Sequence, residues 1–466
     1  MRPTELMDLR FDRGTILLPK PESSSSVLGG LISRDLPGAL WDPRVGAYRA
    51  PACRYRDLRA VLDQRGLTFV DPIGQRISAA GHARVRPVTL RPYQEDALLA
   101  WRHAGETGIV VLPTGSGKTR VALAAVAALD RSTLVLVPTR VLLGQWITSI
   151  HEVRDGAVGV QGDGQRTLAP LTVATFESAY RRMDSIGDRF GLLVVDEVHH
   201  FASGARAEAL EMCAAPARLG LTATPPDDAP GRAMLDRLVG PVVCHSTIAD
   251  LSGRHLAPFD HVRLFVELGV QEFEVYRAAR RVFARAYRQF RLQRGGARRW
   301  LDFVEAARAT HEGREALRAF HLSRQVVSVA AAKISLASRL LQRHAVERTL
   351  LFTADNSAAY CLSRRLLIPA VTCDVGRAER DAILASLRAG RLRAVVSSRV
   401  LNEGIDLPDA GVGIITGGSG GVREHIQRVG RLLRPRAGKR AVVYEIVARG
   451  TYEEQHAERR RRSLVA

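Results

Sequence analysis

Lysine is nearly missing from this chain. Of 68 Lys and Arg residues only four are lysine, at Lys20, Lys118, Lys333 and Lys439, and the rest are arginine. Long apolar runs are missing too: no stretch of about 18 apolar residues occurs, which predicts no transmembrane helix. The opening Met1-Arg-Pro-Thr-Glu-Leu-Met-Asp8 lacks the apolar centre of a signal peptide. Five cysteines, at positions 53, 213, 244, 361 and 373, show no C-x-x-C spacing. That argues against a zinc site or a disulfide framework and fits a reducing cytoplasm. No repeat of solenoid period and no long low-complexity tract is present. Positive charge is in excess, with a net +20 and a pI near 10.7, and a basic surface of this size predicts a nucleic-acid partner and no membrane. A chain of 466 residues with 46% hydrophobic content has room for two or three domains with ordinary cores.

One lysine sits where chemistry needs it. Residues 113–119 read Pro-Thr-Gly-Ser-Gly-Lys-Thr, after the apolar Ile109-Val110-Val111-Leu112 and before the alanine-rich Val121–Leu129. Strand, tight loop and helix form the setting of a phosphate-binding loop. Gly115 and Gly117 let backbone N–H groups close round an anion, Thr114 and Ser116 complete the loop, and the helix N-terminus adds its partial positive charge. Lys118 is placed to reach the outer phosphates of ATP, and the Thr119 hydroxyl to hold Mg²⁺. In an arginine-rich chain, a lysine kept here suggests that a compact ammonium is required. The general pattern wants glycine where this chain has Leu112.

Residues 1–85 read as a small module. Trp41, Tyr48 and Tyr55 alternate with Arg44, Arg49, Arg54, Arg56 and Arg59, which suits either base stacking and phosphate clamping or a small core with a solvated basic face. Gly74 to Pro87 reads as a linker. From 86 to 245 strands and helices alternate, predicting an open parallel α/β sheet. Gln94, just before the loop, has the side chain to pair with adenine, with Arg91 or Tyr93 packed nearby. Thr139 and Arg140, with Gln145 and Trp146 beyond them, follow a buried strand and are candidates for a nucleic-acid backbone, and Thr175 ends a strand of the same form. Leu192-Leu-Val-Val-Asp-Glu-Val-His-His200 places two carboxylates at the end of a central strand. Asp196 is the expected Mg²⁺ carboxylate and Glu197 the base for the attacking water, while His199 is a candidate link from the γ-phosphate site to the neighbouring domain. Thr222 and Thr224, after Leu219-Gly-Leu, are placed to hydrogen-bond that segment.

RPYQ at 91, PTGSGKT at 113, DEVH at 196, TAT at 222, SSRVLNEGIDLP at 397–408 and QRVGRLLRP at 427–435 occur in the order and spacing of superfamily-two helicases. The resemblance covers residues 88–450 and is greatest to the XPB family, through Asp-Glu-Val-His-His and the aromatic- and Arg-rich N-terminal module. It implies an α/β fold of two RecA-like parallel-sheet motor domains, 86–245 and 246–466, with a damage-recognition-like α+β module at 1–85 and a thumb-like helical insert at 271–345. In the insert, Tyr276, Ala279, Phe283, Ala286 and Phe290 fall on one helical face, and Arg280, Arg281, Arg285 and Arg288 are candidate DNA contacts. By the same resemblance Gly404 and Asp406 meet nucleotide, and Gln427, Arg431 and Arg434 supply the arginine-finger chemistry at the γ-phosphate. The implied protein is a monomeric, nucleoid-associated prokaryotic ATPase using ATP and Mg²⁺ to move on or unwind single-stranded, forked or damaged duplex DNA in repair. An ATP-switched subunit working with a nuclease partner, and an RNA substrate, stay open beside it. One departure is plain: where the family places Arg-Glu-Asp after Thr-Ala-Thr, this chain has Pro225-Pro226-Asp227-Asp228. The segment Glu453–Arg462 reads as a frayed charged helix.

Overall fold

The computed structural model describes residues 7–19, 36–293, 300–398, 410–417, 425, 428, 430, 432 and 440–465. They divide into two compact units, Met1–Ser246 and Thr247–Ala466.

The first unit opens with strands β1 (Met7–Asp8), β2 (Arg10–Asp12), β3 (Thr15–Pro19), β4 (Leu40–Asp42), β5 (Ala47–Pro51) and β6 (Phe69–Val70), and helices α1 (Tyr55–Gln64) and α2 (Pro72–Ala79). Strands β2-β3-β5-β4 form an antiparallel sheet. Tyr55, Leu58 and Leu62 make one apolar stripe on α1 and bury it against Ile16 and Leu18. The arginines of this module pair with carboxylates: Arg44 and Arg49 with Asp42, Arg49 with Asp12, Arg54 with Asp57, and Arg59 with Asp71. That favours the core-and-face reading for these four over phosphate clamping.

The stretch from Gly74 to Pro87 is not a plain linker. Asp71 caps α2 by accepting from the Gly74 N–H at 2.8 Å, and Pro72 suits the first helical turn, where no N–H is needed. The module is packed closely on the rest of the unit. Ala214 belongs to the module's core, Arg76 meets Asp188 at 2.5 Å, and a Cβ added to Gly14 would collide with the Met212 side chain.

The larger sheet of this unit contains β7 (Thr107–Val111), β8 (Thr133–Val137), β9 (Gly159–Gly162), β10 (Gln165–Arg166), β11 (Leu171–Thr175), β12 (Leu192–Asp196), β13 (Ala217–Thr222) and β14 (Val242–His245). Its order is β10-β9-β11-β8-β12-β13-β7-β14, parallel except for β10. Strands β8, β11 and β12 are buried along their whole length, the mark of a parallel sheet covered on both faces. Helices α3 (Pro92–His103), α4 (Lys118–Leu129), α5 (Arg140–Val153), α6 (Phe176–Ile186), α7 (Glu208–Glu211) and α8 (Ala229–Leu238) connect them.

The second unit carries α9 (Ile248–Leu251) and a six-stranded parallel sheet, β15 (Phe259–Val266), β16 (Thr349–Phe352), β17 (Ala370–Val371), β18 (Ala394–Ser397), β19 (Val412–Ile415) and β20 (Ala441–Ala448). The order is β15-β20-β19-β16-β18-β17. Between β15 and β16 lie α10 (Val270–Gln293), α11 (Trp300–Ala309), α12 (His311–Ser328) and α13 (Ala331–Arg343); α14 (Asn356–Leu366) and α15 (Arg377–Arg388) come later. The first three are held together by aromatic contacts, with ring centroids 4.9 Å apart for Phe283 and Phe320 and 5.0 Å for Tyr287 and Phe303. Tyr276, Ala279 and Phe283 are buried as their spacing predicts, and Ala286 and Phe290 pack against the cluster of Phe283, Phe303, Ala307 and Ala316. Helix α13 belongs elsewhere: Ala337 and Leu340 pack with Leu351, Val396 and Ile414 of the sheet. The three-helix insert therefore ends near Ser328 rather than at 345. The C-terminal helix, Tyr452–Val465, is docked rather than frayed. Its buried Glu453 meets the buried Lys333 of α13 at 2.6 Å, and its buried Arg460 meets Glu445 of β20 at 2.7 Å.

Candidate active site

Strands β12, β13 and β7 are neighbours in the sheet, so the loops at their C-terminal ends lie side by side, where ligands bind in open α/β sheets. The loop after β7 is the Pro-Thr-Gly-Ser-Gly-Lys-Thr segment. Gly115 (φ 85°) and Gly117 (φ 84°) take left-handed backbone that other residues adopt only under strain. Gly117 caps α4 without a side chain of its own, and a Cβ there would lie 2.5 Å from the Gln94 amide nitrogen. Lys118 Nζ donates to the loop's own carbonyls at Leu112 (3.1 Å) and Pro113 (3.4 Å), and the Ser116 hydroxyl donates to Pro113 O at 2.7 Å. Thr114 Oγ1 is buried without a hydrogen-bond partner. An orphaned hydroxyl, an ammonium resting on carbonyls and a helix N-terminus form a cradle that fits a phosphate chain. Thr119 stands in the first turn of α4.

The position of Gln94 differs from a free base reader. Its Oε1 accepts from Arg91 N at 2.9 Å and its Nε2 donates to Ser116 O at 2.7 Å. In this structure both ends of the amide hold backbone, so Gln94 is a strut of the loop, and Arg91 caps α3 beside it.

At the end of β12, Asp196 is buried. Its Oδ2 accepts from Trp146 Nε1 at 2.9 Å and its Oδ1 from Glu197 N at 3.0 Å. Burial pushes the Asp196 carboxyl up, while the Trp146 N–H, the Lys118 charge and the Glu197 N–H pull it back. Glu197 adopts φ 49°, ψ 47°, a left-handed conformation rare for this residue type and the sort of strain that gathers at reactive positions. Its Oε2 lies 3.5 Å from His199 Nδ1, and that nitrogen lies 3.0 Å from Thr222 Oγ1. The Thr222 hydroxyl donates to Thr224 O at 3.1 Å and accepts from Thr224 N at 3.1 Å. His199, Thr222 and Thr224 thus form a buried hydrogen-bonded chain, and the half-buried Glu197 carboxylate stands 3.5 Å from its His199 end.

Thr139 and Thr175 are helix caps, accepting from Leu142 N and Ser178 N at 3.2 Å each. They stand at the ends of the paired strands β8 and β11. Arg140 is exposed and reaches Asp163 at 3.4 Å. Trp146 does not face outward with them: it is 1% exposed and serves Asp196. On α10, Arg281, Arg285 and Arg288 are exposed and line a groove of about 420 Å³ with Gln289 and Leu292. Arg280 instead lies 5.2 Å over the Phe283 ring. Gly404, Asp406, Gln427, Arg431 and Arg434 lie outside the described residues. Their neighbour Arg428, which the motif reading passed over, is buried and donates to Thr353 O (2.8 Å) and Gly417 O (3.2 Å). Among the described residues no helix is long and apolar enough to cross a membrane, and no His, Cys, Asp and Glu group of metal-holding form occurs.

Three family models match the chain. Residues 9–73 match the Xeroderma pigmentosum group B helicase damage recognition domain, 87–227 the res subunit of type III restriction enzymes, and 332–436 the helicase conserved C-terminal domain. The chain is 37% identical over 439 residues to the DNA 3'-5' translocase XPB2 of Sulfurisphaera tokodaii, covering 93% of this chain and 98% of that protein. It is 29% identical to the DNA 3'-5' helicase XPB of Mycobacterium tuberculosis over 80% of its own length, but spans only 63% of that longer relative. Among solved structures, the helicase domain of Pyrococcus furiosus Hef shares the fold, with a TM-score of 0.51 and 20% identity over 80% of this chain and 98% of that one.

Proposed function

The chain belongs to the XPB family of superfamily-two helicases, and on that premise we propose that it is an ATP-driven 3'-5' translocase on DNA, acting in repair. The observation that carries the reading is the Asp196-Glu197 pair beside the phosphate cradle, on neighbouring strand ends of one sheet, with the hydrogen-bonded His199–Thr222–Thr224 chain ending 3.5 Å from Glu197. ATP with Mg²⁺ supplies the transferable phosphoryl group and the cation that offsets its charge. The Lys118 ammonium exchanges its carbonyl partners for phosphate oxygens, Thr119 and Asp196 hold the cation, and Thr114 lends its orphaned hydroxyl. Glu197 takes a proton from the attacking water, and His199 and Thr222 fix its orientation. The polar chain to Thr224 reports whether the γ-phosphoryl site is filled, and so ties hydrolysis to the grip on DNA.

Thr139, Arg140 and Thr175 at one edge, with Arg281, Arg285 and Arg288 on the insert, are the proposed backbone contacts. Contacts of this kind carry charge and little sequence information, so binding is salt-dependent with weak sequence preference. Pro225-Pro226-Asp227-Asp228 in place of the family's Arg-Glu-Asp favours movement on DNA over strand separation. The test is steady-state ATPase alone and with single-stranded DNA, duplex, fork and RNA, with strand displacement read in the same samples. Stimulation by DNA supports the proposal, and displacement adds unwinding to it. Stimulation by RNA alone, or by nothing, overturns it. ATP binding without turnover on any DNA points instead to a switch subunit working beside a nuclease.

A further inference from the structure

Helix α5 joins two parts of the machinery that the motifs leave separate. Its cap and first residue are Thr139 and Arg140, at the strand edge proposed to meet DNA. Six residues on, roughly 9 Å along the helix axis, Trp146 donates to Asp196 Oδ2, on the proposed cation-holding carboxylate, at 2.9 Å. One face of the helix is anchored by buried Leu143, Trp146 and Ile150. We propose that Trp146 is a positioning residue, through which α5 sets the Asp196 carboxylate for Mg²⁺ and passes DNA occupancy at Thr139 and Arg140 to the cation. This rests on the proposed function above.

The physical basis is the short range of a hydrogen bond. An N–H···O contact weakens beyond about 3.2 Å, so a slide of α5 by a few tenths of an ångström makes or breaks the contact. With Oδ1 accepting from Glu197 N and Oδ2 from Trp146, the plane of the carboxylate is fixed, and with it the lone pairs left for the cation's shell. Without the indole donor, Asp196 keeps its burial but loses one of the groups that hold it. Groups that orient metal-binding carboxylates commonly matter about 10- to 100-fold in metal affinity or activity.

The experiment compares wild type with Trp146→Phe, which keeps a packed ring and removes the donor. Binding of a fluorescent ADP is followed against Mg²⁺ concentration, without DNA, with single-stranded DNA and with duplex DNA, and again in EDTA. ATPase is measured in parallel. For the wild type, DNA is expected to lower the Mg²⁺ concentration needed for half-maximal binding. For W146F that concentration rises about tenfold or more, the DNA-induced shift disappears, and binding in EDTA is unchanged. A W146F protein with the wild-type Mg²⁺ dependence and the wild-type DNA shift overturns the proposal while the translocase reading stands. A wild type whose ATPase and nucleotide binding both ignore DNA overturns the translocase reading and this proposal with it.

If W146F melts too early to assay, wild-type protein carrying 5-fluorotryptophan at its four tryptophans reads the same contact by fluorine NMR. A buried indole resonance that moves on adding Mg²⁺ with nucleotide, and again on adding DNA, supports the proposal. Four resonances indifferent to both overturn it.

Discussion

Replacing Lys333 with methionine tests how the second unit is held. The Lys333 side chain is fully buried, and its three ammonium protons have three acceptors: Glu453 Oε1 at 2.8 Å, Glu453 Oε2 at 2.6 Å and Thr416 O at 2.7 Å. Burial pushes this ammonium's pKa down, and the Glu453 carboxylate beside it pulls it back up. Methionine matches the length but leaves the Glu453 charge buried, with Ala448 N (3.0 Å) as a remaining donor. Removing one partner of a buried pair costs about 3–5 kcal/mol, because the other charge stays without compensation. In a domain of this size each kcal/mol moves the melting midpoint by about 2–4 °C, so the expected drop is roughly 6 to 20 °C. Calorimetry of the full chain measures it, and pulse proteolysis with mass spectrometry shows that Thr247–Ala466 is the part that opens. The double variant Lys333→Met, Glu453→Gln is expected to regain part of the loss, since no charge is stranded and an acceptor for Ala448 N remains. A shift in K333M of less than about 2 °C would refute the reasoning, as would a double variant no better than the single.

Glu197→Gln should still bind ATP but turn it over about 10²- to 10⁴-fold more slowly; single-turnover hydrolysis measures this, and normal turnover removes Glu197 as the base. The second unit should lose stability in mild acid. Burial, with Arg460 and Arg324 nearby, holds His456 at about 4 against an ordinary 6.5. Burial also lowers His261, and His425 well below the usual range. In all three the unfolded chain binds protons first, so this stability is complete above pH 6.5 and is lost progressively towards about pH 4. Melting midpoints between pH 5 and pH 8 that do not fall on the acid side would contradict this. Replacing Arg281, Arg285 and Arg288 together by alanine should lower the slope of log affinity against log salt on DNA by about 2 to 3, and an unchanged slope takes these arginines off the DNA path.

How much the sequence disclosed depends on separation along the chain. The phosphate loop, the Asp196-Glu197 pair and the Thr222–Thr224 turn each lie within a few residues, and a strand–loop–helix reading places them on one sheet edge. The contacts that finish the site span long intervals. Trp146 and Asp196 are 50 residues apart, and an aromatic after a strand end has the same local pattern whether it faces DNA or turns inward. The scarcity of lysine that singled out Lys118 applied equally to Lys333, but its partner lies 120 residues away. Strand β15 pairs with β20 across a longer interval, 182 residues between Arg263 and its partner Glu445, and its half-buried residues give no clean alternation. Near the C-terminus, four successive arginines hid one, Arg460, that is buried on Glu445. In the N-terminal module the spacing of aromatics and arginines was visible, but not the aspartates that neutralise them.

The segment after Thr224 bears on what kind of motor this is. Pro225 and Pro226 fix two backbone angles and offer no N–H, so the chain leaves β13 along a stiff path. Asp228 then accepts from Gly231 N at 2.7 Å and caps α8, so its carboxylate is committed to starting a helix. No arginine remains in the position where the family's tripeptide supplies one, and an aspartate facing a phosphate backbone would be repelled. The His199–Thr222–Thr224 hydrogen bonds are nevertheless in place up to that point, with Glu197 3.5 Å from His199. If His199, Thr222 and Thr224 couple hydrolysis to movement as proposed, a motor with a rigid, acidic helix start in place of a cationic wedge is expected to step along a duplex without parting its strands. On this argument duplex DNA should drive ATP turnover in this chain with little strand displacement.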